Sequence, residues 1–495
     1  MTNRHVLQVV PGANKQNACS ISVNHRIAIT DDKNGIAENL AQQFVAQGYR
    51  HTQVVHQVSP ASDVVIALDG LATFSTVEEA IHCNFKVFQH ARAVADRFSQ
   101  RGGVFVAVQA TGGYFSHHAI DYQNAWTAGI AALVKTASLE WPKAVCQAID
   151  LEVHHQSPKN LAETLLQRIL NGYSELECGL LINGKEVTNQ LFPTLLQAKQ
   201  TNFFMDKNAV MIASGGARGI TATCLLALAK KHQPKIILLG RTVLSEESAL
   251  TKNLLKEQEI RNVLISHYQS TQQSFTLPFV NEQANLILAE REIKKNIALL
   301  KAAGSEVEYF TVDVLNLAEL TDTLIKIRKK YGKIAGVLHG AGVLADKLII
   351  QKTDQQFNRV FNTKVRGLRN LLEATEQDKL HWLIFFSSVA ARFGNRGQCD
   401  YAMANEVLNK VAQQEQQKRG KTCLVKSFNW GPWESGMVTS SIQDLFKQRG
   451  IELLSKTEGA EMFLAELTDT NRNQVEVILG GRLKNDSFQS LQHFN

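Results

Sequence analysis

The feature that most limits what this chain can fold into is a change of hydrophobic period across a glycine-rich stretch. Val210 to Ala213 form a continuous apolar run, Ser214-Gly215-Gly216-Ala217-Arg218-Gly219-Ile220 follows, and Ile220, Cys224, Leu225 and Leu228 then recur at helical spacing until Pro234. Ile236 to Leu239 form a second apolar run. Strand, glycine loop, helix and strand in that order make a βαβ unit with two parallel strands. Such a loop gathers free amides and the positive end of a helix dipole at one point, which suits a dinucleotide diphosphate. A lone G-x-x-x-G spacing arises often by chance, so the loop draws its weight from this context.

Further strand candidates follow at Val307 to Val314, Ile334 to His339, Leu383 to Ser387 and Cys423 to Asn429, with helical segments between most of them. This alternation predicts an α/β fold with a parallel sheet covered on both faces. A last apolar run, Val475 to Leu479, is expected to close the sheet's edge. Between Ser245 and Ala303 lies a connection far longer than a βα crossover needs, rich in Lys, Glu and Gln. Leu286 to Leu300 has helical character there, so a surface insertion over 245–303, an interaction arm, is expected.

At 495 residues the chain exceeds what one core usually organises, and its first 200 residues repeat the theme faintly. Arg26 to Thr30 leads to Gly35 and an amphipathic stretch with Ile36, Leu40, Phe44 and Val45, while Val64 to Leu68 and Val104 to Val108 read as buried strands. Asp31, Asp32 and Lys33 stand where glycines would be needed, and carboxylates there repel a diphosphate. Gln109-Ala110 replaces a serine pair, and the helix around Ala125 to Leu139 carries Trp126 but no Tyr-x-x-x-Asn. Two Rossmann-like subdomains are therefore expected: a truncated, degenerate one over 1–206 kept for packing, and a catalytic one over 207–495. An unrelated α/β domain is the alternative for the first.

Four polar residues, Lys364, Ser388, Tyr401 and Asn405, lie downstream of the glycine loop. Carbonyl reduction needs a hydride donor, a proton donor at oxygen and polarisation of the carbonyl as charge develops. Tyr401 is the candidate proton donor. A free phenol, with a pKa of about 10, is a sluggish acid at neutral pH, and the Lys364 ammonium is expected to lower it. Lys364 also suits the nicotinamide ribose, Ser388 the substrate oxygen. Asn405, one helical turn beyond Tyr401, is placed to fix a water or carbonyl that resupplies the proton. Each residue alone has an ordinary structural explanation; their joint order on a glycine-loop scaffold carries the reading.

At the other end of the expected site, Gly215 permits the tight turn and Gly219 a close approach to phosphate, with Thr221 in place of a third glycine. The next strand ends in Gly240-Arg241-Thr242. An NAD site usually has Asp or Glu there; Arg241 offers a cation to a 2′-phosphate instead, so NADPH is the expected cofactor. Arg218 either adds charge there or is a solvated surface residue. Asp313, beside Val314, is placed to accept from the adenine amino group, and the glycines of His339-Gly340-Ala341-Gly342 let the backbone pass close to the ribose.

A formal net charge of +7 raises the question of nucleic acid, but Lys and Arg are scattered among Asp and Glu rather than gathered in a block, so none is expected. Seven cysteines, without any C-x-x-C, read as reduced thiols rather than a disulfide framework or a zinc site, and no metal is expected. No apolar run approaches a membrane span, and a cytoplasmic protein without membrane attachment is expected.

With these residues in view, the chain resembles a ketoreductase of the polyketide and polyunsaturated fatty acid synthase type, within the short-chain dehydrogenase/reductase superfamily. The order Lys364, Ser388, Tyr401, Asn405 matches that family's pattern, as do Phe385-Phe386-Ser387-Ser388-Val389-Ala390, Gly397-Gln398 and Asn429-Trp430-Gly431-Pro432-Trp433. Ala128-Gly129-Ile130 through Leu139-Glu140-Trp141-Pro142 looks like the cofactor-free subdomain that family members carry ahead of the catalytic one. The long insertion and the wording of the glycine loop are closer to bacterial polyunsaturated fatty acid synthases than to modular polyketide assembly lines.

The resemblance implies more than the residues alone. The substrate would be a 3-ketoacyl thioester on an acyl carrier protein, with other synthase domains as further partners. Trp430, Gly431 and Met437 would complete the cofactor site, and Asp346, Phe393, Gln398, Pro432 and Trp433 the substrate site. Leu344-Ala345-Asp346 resembles the Leu-Asp-Asp signature of reductases that make the 3R alcohol, with Ala345 in place of the first Asp, and Phe393 replaces the Trp typical of the opposite class. Met437 to Leu454 would form a lid. The Asp-Ser pair in Asn485-Asp486-Ser487-Phe488 is a chance likeness to a carrier attachment site. The alternatives are a short-chain reductase of free or CoA-linked ketones and a non-catalytic dinucleotide-binding scaffold of a multienzyme complex.

Overall fold

Segments apolar at every position become strands buried on both faces, and the amphipathic segments between them become the covering helices. The computed structural model describes residues 4–12, 21–118, 120–172, 175–196, 205–434, 452–469 and 471–480. The first half comprises β1 (Arg4–Pro11), β2 (Ile27–Thr30), α1 (Ile36–Ala46), β3 (Thr52–Val55), β4 (Val64–Gly70), α2 (Val77–Arg101), β5 (Val104–Gln109), α3 (Gly129–Glu140), β6 (Val145–Leu151), α4 (Pro158–Leu170), β7 (Glu177–Leu180) and β8 (Glu186–Pro193). The second continues with β9 (Val210–Ser214), α5 (Gly219–His232), β10 (Lys235–Gly240), α6 (Glu257–Ser270), α7 (Leu277–Ala302), β11 (Val307–Thr311), α8 (Leu317–Tyr331) and β12 (Ile334–His339). It ends with α9 (Asp354–Ala374), β13 (Trp382–Ser388), α10 (Val389–Phe393), α11 (Cys399–Arg419), β14 (Leu424–Trp430), α12 (Lys456–Leu467) and β15 (Glu476–Leu479).

The strands form one 15-stranded sheet in the order β11-β10-β9-β12-β13-β14-β15-β1-β8-β7-β6-β5-β4-β2-β3. From β11 to β15 every pair is parallel. Strand order reverses between β9 and β12, so a crevice opens at their carboxyl ends, where ligands of such sheets bind. The order β3-β2-β4-β5-β6-β7 repeats this layout without a counterpart of β11, which gives the faint internal pattern of the sequence a topological form.

The Val475 to Leu479 run does not close an edge. β15 pairs parallel with β14 and antiparallel with β1, and β1 in turn pairs antiparallel with β8, so the joint between the halves lies here. An apolar run shows that a strand is covered on both faces and says nothing about its lateral neighbours. Arg4 of β1 is buried and paired with Asp469 at 3.2 Å, while Lys426 of β14 meets Asp469 at 2.7 Å and Glu466 of α12 at 3.1 Å. These paired buried charges tie β1 to the second half. The run from Val307 also stops at Thr311, because Asp313 accepts from the Leu315 amide at 3.0 Å and turns the chain out of the sheet.

The 245–303 insertion is only partly an arm. α6 and α7 share a small core of Ile260, Leu264, Val280 and Ala284, but Ile293 and Leu300 of α7 are buried in the same cluster as Cys224, Leu225 and Leu228 of α5. One end projects and the other is a wall of the second half.

The halves also meet through α3 and α11. A Cβ built on Gly129 would lie 2.6 Å from Asn84 Oδ1, 3.0 Å from the Met403 carbonyl oxygen and 3.1 Å from Met403 Cβ. Asn84 is held by the Trp126 carbonyl at 2.8 Å and is fully buried, so it has nowhere to turn. Gly129→Val should therefore destabilise the chain by about 1–3 kcal/mol through overpacking, although glycine is itself a poor helix former. A fall in the denaturant midpoint checks this.

Candidate active site

The crevice between β9 and β12 opens into a cleft of about 1690 Å³, larger than the roughly 300–1,000 Å³ of a single small-ligand pocket. One end is built by the loop from Gly215 to Gly219. Gly215 has φ +66°, and a Cβ there would lie 2.7 Å from the Ala341 nitrogen, so the β9 and β12 loops touch backbone to backbone. Gly219, with φ +60°, opens α5. Gly216 faces inward instead, where a Cβ would meet that of Ala213 at 2.7 Å.

Beneath the loops, Ser214 Oγ lies 2.7 Å from His339 Nδ1, and His339 Nε2 lies 2.8 Å from the Lys364 carbonyl oxygen. That carbonyl only accepts, so Nε2 carries the proton, Nδ1 accepts, and the Ser214 hydroxyl donates. Burial, followed by the neighbouring Lys364 charge, lowers the His339 pKa to about 3, which keeps the ring neutral. Ser214 and His339, expected at the cofactor, are buried struts between β9, β12 and α9. Neither lines the cleft, and Gly216 does not either.

Arg218, Arg241, Gly240, Asp313, Val314, Gly340, Ala341 and Gly342 do line it. Arg218 and Arg241 are exposed, as a contact to a phosphate requires. Asp313 commits Oδ1 to the Leu315 amide, leaving its other oxygen available.

The opposite end is made by three elements. Lys364 of α9 is buried, donates from Nζ to the Phe386 carbonyl at 2.7 Å and lies 5.7 Å from the Tyr401 ring centre. Ser388 ends β13, and its Oγ caps α10 by accepting from the Ala390 amide at 3.2 Å. Tyr401 and Asn405 lie one turn apart on α11, with Asn405 Nδ2 donating to the Tyr401 carbonyl at 2.8 Å. Lys364, Ser388 and Tyr401 line the cleft. Asn405 stands behind Tyr401, fully buried, with Oδ1 lacking a hydrogen-bond partner among the described residues.

The electrostatics differ from the expectation in sign. Burial raises the Tyr401 pKa, while the Ser388 hydroxyl and the Asn405 carboxamide pull it back by favouring the phenolate. Lys364 is not among the groups that lower it. The ammonium is itself desolvated, which brings its pKa down to about 7, and Nζ is directed at the Phe386 carbonyl.

Of the residues expected at substrate, Asp346, Phe393, Gln398, Pro432 and Trp433 all line the cleft, and Gln398 Nε2 donates to Asp346 at 2.8 Å. Trp433 is buried against Trp430, with ring centres 5.0 Å apart. Trp430 and Gly431 line the cleft as well. Met437 lies outside the described residues, as do 437–451 of the expected lid and the Asn485 to Phe488 segment. The described end of that lid segment is bonded to the chain beyond β14, the Leu454 amide donating to the Pro432 carbonyl at 2.8 Å.

Several supporting residues escaped the sequence reading. Glu140 of α3 accepts from the amides of Ile349 at 2.7 Å and Gly397 at 2.9 Å, holding two loops beside the substrate end. Glu177 pairs with Lys135 at 2.9 Å and with Arg392 of α10. Asn409 bridges Ser427 at 2.7 Å and Asn429 at 2.9 Å, and the Ser387 hydroxyl lies 3.2 Å from the Asn405 carbonyl. The Asn405/Asn409 spacing was the one available signal; partners 200 or more positions away leave none.

Residues 209–435 match the family model for the KR domain. This segment is a KR domain. The chain is 30% identical over 345 residues to a polyunsaturated fatty acid synthase subunit from Thraustochytrium sp., an alignment that covers 67% of this chain and 12% of that protein. It is 26% identical over 315 residues to polyketide synthase PksN of Bacillus subtilis, covering 62% of this chain and 5% of PksN. The chain thus spans a small fraction of the curated relatives it matches. Among solved structures, a ketoreductase domain from the bacillaene assembly line superposes with a TM-score of 0.70 over 99% of this chain and 100% of that one, at 20% identity. An A1-type ketoreductase gives 0.72 over 100% and 96% at 16% identity. The fold is that of these ketoreductase domains. No described helix is long and apolar enough to cross a membrane.

The depressed Lys364 pKa gives a stability signature. Between about pH 7 and about pH 10.5 the unfolded chain holds a proton on Lys364 that the folded chain has lost, so this residue makes stability rise with pH across that window. Lys364→Met should remove that slope, and the difference in unfolding free energy between variant and parent should shrink by a few kcal/mol as pH rises through the window. Denaturation at several pH values checks it.

Proposed function

We propose that this chain reduces the 3-keto group of an acyl thioester, presented on an acyl carrier protein, to the 3R-hydroxyl with NADPH. The observation that carries the reading is the convergence of Lys364, Ser388 and Tyr401 at one end of a cleft whose other end holds Gly219, Arg218 and Arg241. The Gly215 to Gly219 backbone suits the diphosphate, the two arginines the 2′-phosphate, and Asp313 the adenine amino group.

When bound, NADPH supplies hydride to C3 of the substrate. Tyr401 donates the proton to the keto oxygen. The phenol is protonated at neutral pH, and the Ser388 hydroxyl and Asn405 carboxamide, which favour the phenolate, offset the burial that opposes release of its proton. Ser388 donates to the same oxygen as negative charge develops, a contribution that grows in the transition state. Lys364 holds the nicotinamide ribose and, with a pKa of about 7, passes protons readily in either direction. Asn405 offers its unpartnered Oδ1 behind Tyr401 as the start of the resupply path. Asp346 and Gln398, hydrogen-bonded to each other, shape the groove by which the acyl chain approaches and favour the 3R product.

We further assign 1–206 as the structural subdomain and 207–495 as the catalytic one. In the first half Asp32, fully buried, accepts from the amides of Ala37 at 2.7 Å, Asn34 at 3.1 Å and Ile36 at 3.2 Å. A resident carboxylate thus consumes the α1 amides that a diphosphate would need. The other synthase domains and the carrier are the proposed partners, since the relatives are long synthases.

A 3-ketoacyl pantetheine thioester should support NADPH oxidation and give the 3R alcohol on chiral analysis. Tyr401→Phe should lower kcat by about 10²–10⁴-fold, the range for loss of a general acid. Full activity in that variant would remove Tyr401 from its role. Turnover of a free ketone as fast as of a carrier-bound substrate would argue against the carrier.

A further inference from the structure

The insertion reaches the glycine loop. Glu292 of α7 accepts from the Gly219 amide at 2.9 Å and from Arg218 Nε at 2.9 Å, and Asn296, one turn on, donates to the Ala217 carbonyl at 2.9 Å. The helix is seated, because Ile293 between them is only 2% exposed against α5. The Glu292 side chain is 40% exposed and Arg218 51%, so the carboxylate sits at the solvent edge, where it can swing out.

These donors are the ones a phosphate of the cofactor would take: the first amide of α5 and a guanidinium beside it. A carboxylate and a phosphate on the same amide repel each other, so one must leave. The first half of the same chain shows the permanent version of this arrangement, with Asp32 buried on the α1 amides. Glu292 differs in coming from a separate, partly exposed helix that also lines the cleft through Glu282, Leu286 and Lys295.

We propose that Glu292 is an internal competitor for the phosphate groups of the dinucleotide, through which the α6–α7 insertion sets the affinity of the cofactor site. The inference rests on the reading of this loop as the NADPH site. Without cofactor the carboxylate satisfies Gly219 and Arg218; binding displaces it, and the insertion helix is left without its ion pair to the loop. Cofactor occupancy is thereby coupled to the contact between the insertion and the catalytic half.

Titration of the full chain with NADPH and, separately, with NADH tests this by calorimetry. Glu292→Gln keeps the shape and loses the charge, and it should bind NADPH about 3–10-fold more tightly than the parent, the scale of a partly exposed ion pair. Glu292→Ala should do the same. Glu290→Gln makes the same charge change on a neighbouring carboxylate of α7 that accepts from the Ser245 amide at 3.1 Å instead of from the glycine loop, and should leave the affinity at the parent value. Equal tightening of NADPH and NADH places the competition at the diphosphate, and tightening of NADPH alone places it at the 2′-phosphate; either supports the inference. Parental NADPH affinity in both Glu292 variants, or weaker binding, overturns it while leaving the cofactor reading intact. Absence of NADPH binding in every protein overturns both.

Discussion

Tyr401 owes its position to the contact of two helices from different halves of the chain. α3 and α11 approach so closely at Gly129 that no side chain fits between them, and Ala132 of α3 joins Ala390 and Ala402 in the small cluster against which the Tyr401 ring packs. Small residues on both sides let the backbones close, and the close approach fixes the ring more tightly than a layer of flexible side chains would. Arg392, at the end of the short helix that follows Ser388, is held by Glu177 from the first half. The first half also contributes Glu140, which grips the amides of Ile349 and Gly397 beside the cleft.

Desolvation governs the electrostatics of this arrangement. Burial pushes Lys364, Tyr401 and His339 each toward its neutral form. A neutral phenol is ready to give a proton, a lysine with a pKa near neutrality exchanges one readily, and a neutral imidazole relays geometry from Ser214 to the main chain of Lys364. Burial is the leading influence on the Tyr401 phenol and acts against the lowering expected of the Lys364 ammonium.

Much of this was legible in the sequence because local patterns encode it. The period change across Gly215 to Gly219 marked the βαβ unit, and the order of Lys364, Ser388, Tyr401 and Asn405 singled out residues that the fold gathers, three on the cleft and one behind it. Failures fell where the information is lateral. The run ending at Leu479 carries no mark of its antiparallel neighbour β1, which comes from the far end of the chain. Ser214 and His339 stand beside the cleft loops, and only their mutual hydrogen bond shows that they face inward. Glu140, Arg392 and Glu292 act through partners distant in sequence, and no local pattern marks those partners.

The central claim is that the phenol, the amine and the serine hydroxyl meet beside a bound nicotinamide. A crystal structure of the chain with NADPH and a non-hydrolysable 3-ketoacyl pantetheine analogue measures this most directly. The nicotinamide ribose is expected on Lys364, and the keto oxygen within about 3.2 Å of both the Tyr401 and Ser388 hydroxyls. A dinucleotide bound away from the Gly215 to Gly219 loop, or a keto oxygen out of reach of Tyr401, would contradict it.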